Sequence, residues 1–295
     1  MKEFRGIYAV LCTPFTNDDT IDEAALRNQL RYLVDEGGLH GVIPTGSTGE
    51  FAALTEDERK TVAEITIDEV NGAIPVVVGT AAVSTKKTIE YSQMAQRAGA
   101  DGVMVVAPYY CHPNEEEMFC HFRSLAQNID IPLILYNNPG TSGVDMQPEL
   151  VARLAEFDNV DYIKESSGDM TRLTEIMRLC GDKIKVFCGC DTLTMEMFII
   201  GAVGWVAPAA NIIPAQCVRL FELAAEQKDL AKAKELYFKL LPLFGMFENT
   251  GQYVQLTKTG LGMLGRSFGK PRKPLLPPTE EVQNQLKKIL DSILG

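Results

Sequence analysis

Short runs of aliphatic and β-branched residues alternate along the chain with longer segments whose apolar positions recur at helical spacing. The runs fall at residues 7–12, 41–43, 76–78, 102–106, 133–136, 160–164, 186–188 and 204–207. Between them stand helix-start signals: Asp22-Glu23, a capping box at Thr55–Glu58, Ser84 or Thr85, Asn114-Glu115, Gln147-Pro148 and Pro214. Eight strands, each followed by a helix, predict a parallel sheet, and their regular spacing of roughly 30 residues favours closure into a (β/α)8 TIM barrel. The period ends after the eighth unit. Residues 1–226 therefore read as the barrel and 227–295 as a C-terminal extension of three helices, at 229–248, 252–264 and 279–294, separated by 249–251 and by the Pro-rich 270–278.

Composition narrows the classes of function. The chain carries 28 basic and 39 acidic residues, a formal charge of −11, with no basic stripe to displace phosphate counterions, so no nucleic-acid or acidic-membrane partner is expected. The apolar run after the amino terminus is cut by Thr13-Pro14, too short for a signal-peptide core. Residues 197–210 are broken by Gly201, Gly204 and Pro208 and fall short of the roughly 20 residues that cross a bilayer, so they read as buried core. Seven scattered cysteines in a chain of 295 residues read as reduced thiols in the cytoplasm.

A barrel of this kind carries its chemistry where strands end and the following loops begin. After the second strand comes Pro44-Thr45-Gly46-Ser47-Thr48-Gly49-Glu50, in which glycines, hydroxyls and backbone N–H groups suit a carboxylate or phosphate; an ordinary Gly/Ser/Thr turn has the same composition. The fourth strand ends at Pro108-Tyr109-Tyr110, an aromatic pair for the site or for a subunit contact. The fifth ends at Tyr136, a phenol able to pass protons, before Asn137-Asn138-Pro139-Gly140-Thr141.

The sixth strand places Lys164 at the end of an apolar run. Burial there disfavours an ammonium and frees the amine to attack a carbonyl and form a Schiff base, whereas an ordinary lysine in this place pairs with Glu165 or faces solvent. Tyr136 and Lys164 close consecutive strands, which lie about 4.8 Å apart, so amine and phenol can share one substrate. Phe187-Cys188-Gly189-Cys190-Asp191 ends the seventh strand, and with only three histidines and no second cysteine pair a metal site is not expected. Cys190, Asp191 and Asn211 are candidate pocket walls.

In this order and at these separations, Gly46-Ser47-Thr48-Gly49-Glu50, Pro108-Tyr109-Tyr110, Tyr136-Asn137-Asn138-Pro139 and Ile163-Lys164-Glu165 resemble the dihydrodipicolinate synthase/N-acetylneuraminate lyase family of class I aldolases, over essentially the whole chain. The resemblance implies a lyase in which Lys164 forms a Schiff base with pyruvate or another 2-keto acid, with no further cofactor. It implies that Ser47, Thr48 and Gly46 hold the keto-acid carboxylate and that Tyr136 is proton donor and acceptor. It also implies that Tyr110 completes a relay through Ser47 in a neighbouring subunit's site, within a homotetramer built as a dimer of dimers.

The departures bear on the substrate. Where the family's synthases carry an arginine for the second substrate's carboxylate, this chain has Thr141; where its sialic acid lyases carry a glutamate, it has Thr192; where lysine-inhibited members carry asparagine and glutamate, it has Val83 and Lys87. The expected activity is a Schiff-base lyase, aldolase or dehydratase/deaminase, on a hydroxylated 2-keto acid. The alternatives are a 4-hydroxy-tetrahydrodipicolinate synthase joining pyruvate to aspartate semialdehyde, and a non-catalytic barrel that binds a small carboxylate.

Overall fold

All eight apolar runs are strands: β1 (Gly6–Val10), β2 (Gly41–Ile43), β3 (Val77–Gly79), β4 (Gly102–Val106), β5 (Leu133–Asn137), β6 (Tyr162–Glu165), β7 (Lys185–Cys188) and β8 (Gly204–Ala207). They are buried almost throughout, as strands covered on both faces must be. The computed structural model describes residues 2–295. Strand order is β2-β1-β8-β7-β6-β5-β4-β3, every pair parallel. The two ends of that order meet: Val42 N–H donates to Pro75 O at 3.1 Å and Gly79 N–H to Pro44 O at 2.9 Å, so the sheet is a TIM barrel.

The crossover helices are α1 (Glu23–Arg31), α2 (Glu56–Val70), α3 (Thr85–Ala98), α4 (Glu115–Ala126), the single turn α5 (Pro139–Ser142), α6 (Pro148–Leu154), α7 (Met170–Cys180), α8 (Thr194–Ile200) and α9 (Pro214–Phe221). Asp22, Thr55, Ser84 and Asn114 each accept an amide three residues on, which satisfies a donor that the first turn leaves free. Three helices follow the barrel: α10 (Leu230–Thr250), α11 (Tyr253–Met263) and α12 (Glu280–Leu294).

Boundaries shift where local bonding wins. Residue 160 does not open β6, because Val160 N–H is committed to Phe157 O at 2.9 Å in a turn. α10 runs on to Thr250 and ends at Gly251, whose φ of +63° a glycine adopts without strain. Residues 197–210 are not wholly core: α8 turns Met197 and Phe198 inward and leaves Ile199 and Ile200 about half exposed, at 49% and 45%. Among the described residues no helix is long and apolar enough to cross a membrane.

α10 docks on the barrel through Phe244, edge-on to the buried Trp205 at 5.1 Å. The segment between α11 and α12 then returns to the carboxyl-terminal rim, where Phe15 N–H donates to Phe268 O at 3.1 Å. Gly269 allows that approach, since a Cβ there would stand 2.1 Å from Phe15 O. The C-terminal residues thus reach the end of the barrel where the strands deliver their loops.

Candidate active site

Lys164 and Tyr136 face each other in the β5–β6 register, and the lysine Nζ lies 4.1 Å from the centre of the tyrosine ring. Both are 6% exposed. They line a cavity of about 450 Å³ at the carboxyl-terminal mouth, together with Ser47, Thr48, Thr141 and Cys190. Glycine at 189 is required by the lysine: a Cβ there would sit 2.8 Å from Lys164 Cε and 1.8 Å from Ser166 Oγ. The tyrosine hydroxyl accepts Asn138 Nδ2–H at 2.8 Å, which orients it.

Glu165, the neighbour that an ordinary lysine would pair with, points the other way because successive strand residues alternate faces. Its carboxylate accepts Ser167 N–H at 2.6 Å and Asn137 Nδ2–H at 3.0 Å. Burial pushes this carboxyl above its ordinary range, opposed by those bonds. Asn137 also donates to Asp145, which Arg172 grips through both guanidinium nitrogens. This lattice fixes the ends of β5 and β6, and so the spacing of phenol and amine.

The loop after β2 forms the facing wall. Thr45 and Glu50 bracket it in left-handed conformations, with φ of +54° and +58°. The turn is tied by Gly49 N–H to Gly46 O at 3.0 Å, Glu50 N–H to Ser47 O at 3.1 Å, Thr13 Oγ1–H to Gly49 O at 2.7 Å and Thr45 Oγ1–H to Gly79 O at 2.8 Å. Among the described residues, the amides of Ser47 and Thr48 donate to no protein acceptor. Two free N–H groups and two hydroxyls at a cavity wall make a seat for an anion. Gly46 lies behind it, where a Cβ would stand 2.6 Å from Val10 Cγ1.

Other candidates fall outside the lining. Asp191 is 1% exposed and lies behind Cys190; its Oδ1 accepts Trp205 Nε1–H at 2.9 Å, and its N–H donates to Glu248 at 2.8 Å. Burial and the nearby Glu248 push its carboxyl well above the ordinary range. Asn211 is fully buried, spending its amide on Val10 O and Pro208 O. Neither is a wall of the cavity, because each serves the barrel's own polar groups. Thr192 is likewise off the wall, its carbonyl accepting the Tyr237 hydroxyl. Tyr110 is 82% exposed and does not reach this cavity; Tyr109 instead lines an adjoining one of about 430 Å³.

Sequence reasoning did not single out Glu248 and Tyr253, which line the cavity and bond to each other at 2.9 Å. They come from the extension, where no strand-end pattern marks them. Burial pushes the Cys190 thiol up to about 12, so its thiolate is disfavoured. Among the described residues no cluster of three or more His, Cys, Asp or Glu side chains could hold a metal.

A shaped cavity with a buried amine, a phenol and an anion seat suits imine chemistry on a keto acid. Comparison with known proteins agrees. The chain is 42% identical over 275 residues to a 4-hydroxy-tetrahydrodipicolinate synthase of Pelobacter propionicus, covering 93% of each chain. It is 40% identical over 289 residues to one of Methanothrix thermoacetophila, covering 97% of this chain and 96% of that one. The crystal structure of dihydrodipicolinate synthase from Aquifex aeolicus superposes with a TM-score of 0.94 at 32% identity, covering 98% and 97%. Residues 3–293 match the model of the dihydrodipicolinate synthetase family; the chain belongs to that family, as a lyase of the class I aldolase superfamily.

Proposed function

We propose that this lyase acts on a hydroxylated 2-keto acid through an imine on Lys164. Ser47 and Thr48 receive the carboxylate, and the Lys164 amine adds to the keto carbon with loss of water, leaving a protonated imine as electron sink. In cleavage, Tyr136 takes the γ-hydroxyl proton as the β–γ carbon bond breaks, and its electron pair passes into the imine to give an enamine. In dehydration, Tyr136 takes the β-proton to give the same kind of enamine and returns it to the γ-hydroxyl, which leaves as water as the enamine pair moves into the β–γ bond. The 4.1 Å approach of amine and phenol within the cavity carries this reading. The scheme needs no further cofactor. The family resemblance adds a cytoplasmic homotetramer in which the partner's Tyr110 completes the relay to Ser47.

The substrate class rests on the charges at the wall. Lys164 and Glu248 are the charged side chains that line the cavity, and with the lysine committed to the imine a second substrate carboxylate finds no other cationic side chain on that lining, Arg272 and Lys273 lying in the adjoining cavity. Thr141, Asn138 and Cys190 suit hydroxyls. A second reading, condensation of pyruvate with aspartate semialdehyde, is favoured by the name of the relatives at 42% and 40% identity.

Borohydride trapping tests the chemistry: pyruvate or a 2-keto-3-deoxy sugar acid should leave a reduced adduct on Lys164. No adduct, or one on another lysine, overturns the mechanism. Turnover of a panel holding 2-keto-3-deoxy sugar acids, hydroxyproline-derived cyclic imines, sialic acid and aspartate semialdehyde identifies the substrate. Fast reaction of the last with pyruvate decides for the second reading.

A further inference from the structure

Behind the anion seat lies an ion pair removed from water. Lys258 Nζ, on α11, stands 2.6 Å from Glu50 Oε1, and both side chains are 2% exposed. Glu50 also accepts Arg272 N–H at 2.7 Å, and Lys258 donates to Lys270 O at 3.1 Å. The Phe15 ring lies 4.1 Å from the Lys258 ammonium and 4.1 Å from the Arg272 guanidinium. Arg272 is pinned in turn by Glu58, Asp19 and Ala53 O. One cation, Lys258, and the backbone of the strap at Arg272 therefore converge on one residue of the loop after β2.

A buried pair is a poor device for stability alone, because desolvation consumes much of the attraction and apolar side chains of similar volume serve as well. Its local consequence here is geometric. Glu50 holds a left-handed backbone that a residue with a side chain adopts only under constraint, and its N–H is bonded to Ser47 O at 3.1 Å. The Glu50 carboxylate is thereby tied, through its own residue's backbone, to the turn that presents the free amides of Ser47 and Thr48.

We propose that Lys258 and Glu50 are positioning residues for the keto-acid carboxylate, through which the C-terminal extension sets the shape of the anion seat. The role rests on the assignment of Ser47 and Thr48 made above. The test compares wild type with Glu50→Gln, Lys258→Met and the double variant, measuring melting temperature and the pyruvate concentration that half-saturates borohydride trapping on Lys164. Each single variant should melt lower and need at least about tenfold more pyruvate, while at saturation the adduct stays on Lys164. The double variant leaves no unpaired buried charge, so it should regain the melting temperature without regaining affinity. It also carries the test if Lys258→Met fails to fold. Wild-type half-saturation in the folded variants, or affinity that returns with stability in the double variant, overturns the proposal. If wild type binds pyruvate by calorimetry but forms no adduct, the imine mechanism fails and the calorimetric affinities of the same variants decide on positioning. If wild type binds no pyruvate, both fall.

Discussion

Two buried acidic groups flank the cavity, and they are built in opposite ways. On the β2 side Glu50 is met by the Lys258 ammonium at 2.6 Å and the Arg272 amide at 2.7 Å. On the β7 side Asp191 accepts the Trp205 indole at 2.9 Å and gives its backbone N–H to Glu248 at 2.8 Å, with no cation bonded to its carboxylate among the described residues, and burial and Glu248 push that carboxyl well above its ordinary range. On the proposed reading, the compensated side holds the seat for the carboxylate that every 2-keto acid carries. The uncompensated side belongs to the same cavity as Thr141 and Asn138, and on the proposed reading these face the part of the substrate that differs from one acid to another. A fixed charge balance suits the constant group, and a wall of small polar side chains is free to select.

Removing the chemistry at the junction of the two sides has the largest expected effect. Tyr136→Phe should lower kcat by about 10²–10⁴ while leaving the Lys164 adduct with pyruvate trappable, since the amine and the anion seat are untouched. A kcat within a few fold of wild type removes Tyr136 from proton transfer.

Giving the selecting side a cation sharpens the comparison. Thr141→Arg should raise kcat/KM for aspartate semialdehyde relative to a neutral hydroxylated substrate by about 10–10², the worth of one charged hydrogen bond. Competition between the two substrates measures that ratio. An unchanged ratio means that residue 141 does not touch the distal group.

Much of this was legible in the residues, and the misses have physical causes. The eight apolar runs mark the strands because a parallel sheet covered on both faces leaves little room for polar residues, and Lys164 stands out for breaking that rule at a strand end. The spacing of Lys164 and Tyr136 on consecutive strands then fixes their meeting. Asp191 and Asn211 were expected at the pocket because they follow strand ends, but their polar groups go to Trp205, Glu248, Val10 and Pro208 inside the barrel. Only the hydrogen-bond partners reveal that. Glu248, Tyr253 and Lys258 were invisible for a different reason: they reach the rim by the packing of α10 and α11, which no periodicity in the extension encodes.

The smallest effect concerns the uncompensated side itself. Burial and Glu248 raise the Asp191 carboxyl above its unfolded value, so the folded state holds this proton more tightly than the unfolded chain. The stabilising contribution is then complete below the unfolded carboxylate range and is lost as pH rises through the folded value. Each pKa unit of difference between the two states is worth about 1.4 kcal/mol. In Asp191→Asn the carbonyl can still accept the Trp205 indole, but nothing titrates. The melting temperature of the variant minus that of wild type should therefore become more positive between about pH 5 and about pH 8. A difference that stays flat over that range means that Asp191 holds no proton in the folded protein, and that the two sides of the cavity are not as unlike in charge as their partners imply.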